Sequence, residues 1–157
     1  MLFFQNIVIN VSFSEFSFYT TYMDTLKDRE KKDQELKKRL TAEQYRVTQE
    51  KVTEPPYSNK YWDCNDGGVY QCICCGAELF DSEAKYDSGC GWPSFTHPVE
   101  GAPIEESTDT SLGTVRTEVT CGNCGAHLGH VFPEEDKPSG FRYCINSASL
   151  NLEQRDK

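Results

Sequence analysis

Two short stretches, Cys72-Ile73-Cys74-Cys75-Gly76 and Cys121-Gly122-Asn123-Cys124-Gly125, decide how this chain folds. Each is a Cys-x-x-Cys turn followed by glycine, the residue that accepts a positive φ without steric cost. A tight Cys-x-x-Cys turn puts two sulfurs on one side, and two such turns supply the four thiolates, at about 2.3 Å, that a tetrahedral Zn²⁺ takes. The pair reads as two zinc knuckles with Cys72, Cys75, Cys121 and Cys124 as ligands to one zinc per chain. Two redox dithiols or a set of disulfides form the competing reading, because Cys-x-x-Cys is also a redox signature. A closed Cys₄ site keeps no open coordination position, so such a metal holds the fold and leaves the chemistry to other residues. The gap from Cys75 to Cys121 is longer than in a compact zinc ribbon and predicts two hairpins tied around an inserted body.

Around the knuckles the pattern is β. Val69-Tyr70-Gln71-Cys72, Thr114-Val115-Arg116-Thr117-Glu118-Val119 and Phe141-Arg142-Tyr143-Cys144-Ile145-Asn146 alternate or are rich in β-formers, and Gly and Pro punctuate the intervals. The expectation is a mainly antiparallel β domain from about residue 57 to 153. Before it, Thr41 offers an N-cap with Gln44 three places on, so a short helix should run to about Glu50 and stop ahead of Pro55-Pro56. Residues 24–40 interleave charges of both signs, as a solvated helix or frayed arm does. Residues 1–22 are aromatic and β-branched with a single charge, Glu15, and end just before Met23. They lack the basic start and small-residue cleavage site of a secretory leader and the arginines of a transit peptide. An upstream extension, with translation starting at Met23, is the plain reading, and a membrane-associating or partner-binding tail the other. The resulting division is an extension over 1–40, a folded domain over 41–153 and a tail over 154–157.

Composition narrows the function. The chain has 157 residues, with 16 Lys+Arg against 25 Asp+Glu for a net charge of −9, a length suited to one domain with an added tail. An acidic chain with no basic block beside its aromatic residues lacks the footprint that nucleic-acid backbones require. No apolar run approaches the ~18 residues of a membrane span.

Of the eight cysteines, four lie outside the knuckle ligands. Cys74 sits inside the first knuckle, as spectator or alternative ligand, and Cys64 in a polar turn. Cys90 and Cys144 stand in richer surroundings. On a strand alternate side chains share a face, so Arg142, Cys144 and Asn146 should point the same way, and a guanidinium beside a thiol favours its thiolate. Cys144 is the candidate nucleophile. His127 and His130, two of the three histidines, could donate a proton near neutral pH; the alternatives are zinc ligands or a structural pair. His97 is assigned no role. Trp92, between Gly91 and Pro93, offers a flat apolar wall, unless it is a core tryptophan.

Gly-Cys-Gly-Trp-Pro-Ser-Phe at 89–95, His-Leu-Gly-His-Val-Phe at 127–132 and Arg-Tyr-Cys-Ile-Asn-Ser-Ala-Ser-Leu at 142–150, with the two knuckles, resemble the B-type methionine sulfoxide reductases over about Leu40–Leu152. The resemblance implies two antiparallel sheets, a structural zinc remote from the active site, and reduction of the R epimer of methionine sulfoxide, preferentially within proteins, with thioredoxin as reductant. It implies Cys144 as catalytic cysteine, Cys90 as resolving cysteine, Trp92 as the wall for the substrate methyl group, and His127, His130, Arg142 and Asn146 as the polar side of the pocket, with Phe141 beside the substrate. A cytoplasmic monomer is expected. The chain departs from the family after Pro133, where Glu134-Glu135-Asp136-Lys137 replaces an Asp-Gly turn, so the acidic contact often made from that loop is left unassigned. A non-catalytic zinc β domain that binds a peptide through Trp92 is the rival function, disfavoured by the presence of both thiols and both histidines. A disulfide-stapled secreted domain is the third reading.

Overall fold

The computed structural model describes residues 13–155, which fall into two units divided between Arg39 and Leu40. The first is helix α1, Phe13–Arg39. Its interleaved charges pair along the helix surface, Lys27 with Asp24 and Lys37 with Asp33, and Lys37, Lys38 and Arg39 occupy the last turn, where the helix dipole favours cations. The helix begins well before the charged stretch at residue 24 where one was expected. Residues 1–12, over which part of the upstream-extension reading falls, and residues 156–157 of the expected tail lie outside the described residues. No helix among the described residues is long and apolar enough to cross a membrane.

The second unit opens with helix α2, Ala42–Glu50, started as the sequence predicts: the Thr41 hydroxyl accepts from Gln44 N–H while the Gln44 side chain accepts from Thr41 N–H. Lys51 ends it in the left-handed region. Nine strands follow: β1 Gly68–Cys72, β2 Glu78–Asp81, β3 Lys85–Tyr86, β4 Ser94–Phe95, β5 Ile104–Asp109, β6 Arg116–Cys121, β7 His127–Pro133, β8 Phe141–Ile145 and β9 Leu150–Gln154. They form two antiparallel sheets, one ordered β2-β1-β9 and the other β3-β4-β8-β7-β6-β5. The three β-rich words of the sequence become β1, β6 and β8.

The core lies where the sheets meet. Phe80 of the small sheet stacks on Phe95 of the large one at 4.5 Å between centroids, and Tyr70 meets Phe95 edge-on at 5.1 Å, both favoured aromatic geometries. Leu79, Val119, Leu128, Ile145 and Leu150 are buried around them. Strand register then places the chemistry. In the large sheet Cys144 of β8 pairs with Ser94 of β4 on one side and His130 of β7 on the other, so three segments distant in sequence converge on one spot. Gly129 lets β7 lie that close: a Cβ there would collide with the Cys144 carbonyl oxygen.

Candidate active site and metal centre

The two knuckles face each other across the sheets, one following β1 and the other β6. Gly76 and Gly125 adopt φ of 76° and 77°, as the trailing glycines predict, and each turn closes through a backbone bond to the first cysteine's carbonyl, Gly76 to Cys72 and Gly125 to Cys121. The sulfurs of Cys72, Cys75, Cys121 and Cys124 all lie within 4.8 Å of one another, with Cys72–Cys124 at 3.7 Å and Cys75–Cys121 at 3.6 Å. A tetrahedron with metal–sulfur bonds of about 2.3 Å has sulfur–sulfur edges of about 3.8 Å, so these four thiols fit one metal ion. Cys74 stands outside this set; its sulfur accepts from Gln49 Nε2 at 3.5 Å. None of the four lines the cavity described next.

That cavity, about 110 Å³, is lined by Thr53, Trp92, Arg116, Gly129, His130, Phe132, Cys144 and Asn146. It brings together four residues singled out in the sequence: Cys144, Trp92, His130 and Asn146. Cys90 flanks it, with its sulfur 3.7 Å from that of Cys144. Arg142 packs over the Phe132 ring at 5.1 Å. Phe141 is not in the lining; it is 48% exposed at the end of β8, and Phe132, across β7, supplies the aromatic ring. Nor does His127 line this cavity; it opens on the adjoining groove with His130. Cys64 lines a separate cavity with Lys85 and Asp63.

The two thiols are shifted in opposite directions. Cys90 is pushed down to about 4 by its hydrogen bond with Cys144, then by those with Ser88 at 3.0 Å and Ser94 at 3.4 Å, against the opposing effect of burial. Cys144 is pushed up, chiefly by that bond to Cys90 and then by burial; Arg142 favours its thiolate but is outweighed. Two sulfurs in contact share one proton more readily than they surrender both, and the two serine hydroxyls add hydrogen bonds that favour the thiolate at Cys90. The sequence argument, which considered only Arg142, expects it on Cys144.

Each histidine is held by a carboxylate. His130 Nε2 lies 2.8 Å from Asp109 Oδ2, which also accepts from Arg116 at 2.6 Å. Asp109 is held well below the ordinary carboxylate range by hydrogen bonds from Ser111, then by His130. His127 Nδ1 lies 2.8 Å from Glu118 Oε1, and Lys51 donates to Oε2 of the same carboxylate at 2.8 Å. Burial pushes His127 below the ordinary imidazole range, despite Glu118.

Glu54 was not a sequence candidate, yet it ties both walls of the cavity together. Its carbonyl accepts from Trp92 Nε1 at 3.1 Å and its N–H donates to Asn146 Oδ1 at 3.1 Å. Its buried carboxylate accepts from Ser147 and Ala148 N–H, at 2.6 and 2.8 Å, in the turn just after β8. Asn146 is further fixed by donating to the Leu128 carbonyl at 2.9 Å. Pro55 and Pro56 mark the only sequence signal here, a rigid extended segment; Gly91, at φ 89°, lets that segment pack close, since a Cβ would lie 2.7 Å from Pro56 Cβ. Of the acidic residues after Pro133, Glu134 pairs with Arg142: its Oε2 accepts from Arg142 Nε at 2.6 Å and from the Tyr86 hydroxyl at 2.9 Å.

Comparison with known proteins agrees with this geometry. Residues 40–154 match the SelR domain. The chain is 54% identical over 127 residues to the peptide methionine sulfoxide reductase MsrB of Acinetobacter baumannii, covering 81% of this chain and 91% of that one. It is 52% identical over 127 residues to the protein of the same name from Acinetobacter baylyi, with the same shares covered. Against that of Hahella chejuensis it is 54% identical over 134 residues, covering 85% of this chain and 94% of that one. With the domain matched over residues 40–154 and about half of the aligned residues identical in each of these relatives, the chain belongs to the SelR-domain family of B-type methionine sulfoxide reductases.

Proposed function

We propose that this chain reduces methionine R-sulfoxide, free or preferentially within proteins, to methionine through a sulfenic acid on Cys144 and a Cys90–Cys144 disulfide reopened by thioredoxin. The observation that carries this reading is a single cavity that holds Cys144 among Trp92, His130 and Asn146 with a second thiol 3.7 Å away.

The Trp92 indole offers the substrate methyl group an apolar wall, and its N–H is already engaged by Glu54, which keeps the ring in place. Cys144 passes its proton to the Cys90 thiolate, so the charge moves to the sulfur inside the cavity, where Arg142 favours it. The Cys144 thiolate attacks the sulfoxide sulfur while His130, whose other nitrogen is held by Asp109, delivers a proton to the oxygen. The oxygen leaves with Cys144 as the sulfenic acid, and methionine departs. Cys90, now a thiol, attacks that sulfur; the S–S bond forms and water is released. Reduction takes two electrons and two protons from a dithiol, for which thioredoxin at about −270 mV is suited. Reduced thiols are what a cytoplasmic setting maintains. Residues 41–153 form the catalytic domain on this reading, a monomer preceded by an extension. The four-cysteine cluster is assigned to zinc: its ligand set is all thiolate and closed, which suits structural Zn²⁺.

An epimer-resolved assay tests the function. With dithiothreitol or thioredoxin the R-sulfoxide should be consumed and the S-sulfoxide remain; equal consumption of both, or of neither, overturns the reading.

A further inference from the structure

Cys90 stands in the connection between β3 and β4, between two glycines in the left-handed region, Gly89 at φ 71° and Gly91 at φ 89°. Glycine backbone is the least restricted of any residue, so the chain on either side of Cys90 does little by itself to aim the sulfur. Yet that sulfur lies 3.7 Å from Cys144 Sγ, and closing the remaining gap of about 1.7 Å would form an S–S bond of about 2.05 Å. Something outside the loop holds it there.

Tyr57 reaches both sides of Cys90. Its hydroxyl donates to the Gly89 carbonyl at 2.5 Å, and its backbone N–H donates to the Gly91 carbonyl at 2.8 Å. Its ring packs on Gly91, where an added Cβ would lie 2.9 Å from ring Cδ2 and Cε2, and meets the Trp62 ring edge-on at 5.3 Å between centroids. One residue thus holds the two carbonyls that bracket the resolving thiol. Three positions earlier in the same segment the Glu54 carbonyl holds Trp92 Nε1, so a single stretch of chain braces the cavity wall and the Cys90 loop.

The backbone of Tyr57 carries the same demand. Its φ is 60°, and among the described residues the other non-glycine residue with positive φ is Lys51, the cap of α2. A bulky side chain is disfavoured in that region and persists where its surroundings over-determine it. Tyr57 is 56% exposed, so burial of its ring does not account for the conformation, whereas the two bonds to the Cys90 loop do.

We propose that Tyr57 is a positioning residue for the resolving step, keeping Cys90 aimed at Cys144 through the Gly89 and Gly91 carbonyls. The inference rests on the reductase function proposed above. In that step the Cys90 thiol attacks the Cys144 sulfenic acid: the S–S bond forms, the S–O bond breaks, and the oxygen leaves as water with the thiol proton. Holding two reacting atoms near contact speeds the step that joins them, so the effect of Tyr57 falls on resolution and not on the release of methionine that precedes it.

The test is a competition for the sulfenic acid on the full chain. Reduced protein receives one equivalent of methionine R-sulfoxide in the presence of dimedone, a carbon nucleophile that traps sulfenic acids, and mass spectrometry reads the ratio of Cys144–dimedone adduct to Cys90–Cys144 disulfide. Only chains that have already released methionine enter this ratio, so it is independent of how much of the protein folds. Tyr57→Phe, which loses the hydroxyl but keeps the ring and the backbone bond, should raise the ratio about two- to tenfold, the value of one hydrogen bond. Tyr57→Gly, which relieves the backbone but removes ring and hydroxyl together, should raise it further. The same substitutions made in Cys90→Ser measure trapping alone and correct for any change in dimedone access. An unchanged corrected ratio in Tyr57→Phe overturns the positioning role, as does loss of methionine release in that variant, which marks a merely structural tyrosine; either outcome leaves the reductase reading of the wild type intact. Absence of methionine release from the wild type overturns that reading and the inference with it.

Discussion

The β unit holds two sets of sulfurs that are almost equally close and are assembled in different ways. In the metal cluster each half is local: two residues separate Cys72 from Cys75 and Cys121 from Cys124, and one turn sets each pair. In the reactive pair, Cys90 and Cys144 are 3.7 Å apart only because β4 lies beside β8 with Ser94 opposite Cys144. The first arrangement brings all four thiols within 4.8 Å of one another, close enough to hold one metal ion. The second is unequal: hydrogen bonds from Cys144, Ser88 and Ser94 favour the thiolate at Cys90, while the contact with Cys90 and burial disfavour it at Cys144. Proximity of thiols does not separate a structural centre from a reactive one; what surrounds each sulfur does.

Removing the reactive sulfurs should expose this inequality most strongly. Cys144→Ser should lower R-sulfoxide reduction more than about 10³-fold, since Cys144 is the one thiol among the residues lining the cavity. Cys90→Ser should still release about one methionine per chain in a single turnover yet fail to cycle with thioredoxin, because the sulfenic acid forms but has no thiol to resolve it. Methionine quantified after stopped single and multiple turnovers separates the two, and full thioredoxin-linked cycling in Cys90→Ser would place the resolving thiol elsewhere.

The metal cluster should respond in stability. Verified loss of the ion to a chelator should lower Tm by more than about 10 °C, because the binding free energy of such a site contributes to folding. An unchanged Tm would remove the structural role.

The unequal charge predicts a pH signature. A thiol held at about 4 is ionised above that pH, so iodoacetamide should label Cys90 at a nearly constant rate from pH 8 to about pH 5, with the rate falling as pH drops through about 4. Cys144, pushed upward, stays protonated and reacts slowly across the same range. Peptide mass mapping reads both sites at once; preferential labelling of Cys144 at pH 6 would reverse the assignment of the resting charge.

The smallest effect concerns the support beneath both walls. Glu54→Gln keeps the backbone bonds to Trp92 and Asn146 but exchanges two charge-assisted bonds to Ser147 and Ala148 for neutral ones, at a cost of about 1–3 kcal/mol. Denaturant unfolding should show that loss, with KM raised more than kcat is lowered. Wild-type stability in this variant would mean that the carboxylate does not brace the turn after β8.

The cluster, the short helix at Ala42–Glu50, the β-rich domain and Cys144, Trp92 and His130 were legible because each has a local signature: turn glycines, a capping box, alternation, or a reactive residue beside a rigid one. Glu54, Asp109 and Glu118 were not. They are acidic residues in an acidic chain, and nothing in the residues beside them marks which partners the fold brings up: Ala148 for Glu54, His130 for Asp109 and His127 for Glu118. Phe132, inside the 127–132 motif, and Phe141, just before the 142–150 motif, are separated only by the fold: β7–β8 pairing sets Phe132 opposite Arg142, and Phe132 lines the cavity while Phe141 does not.

From the residues in order come the ligand spacing of the knuckles, the class of fold and the kinds of reactive group, because turns, caps and strand alternation depend on neighbours a few positions away. The opposed shifts of Cys90 and Cys144, the carboxylate beside each of His127 and His130, and the groove adjoining the Cys144 cavity come from the folded chain alone. Hydrogen bonding, burial and Coulomb interaction act across space, and the sheet registers that bring those groups together join segments as far apart as Ser94 and Cys144.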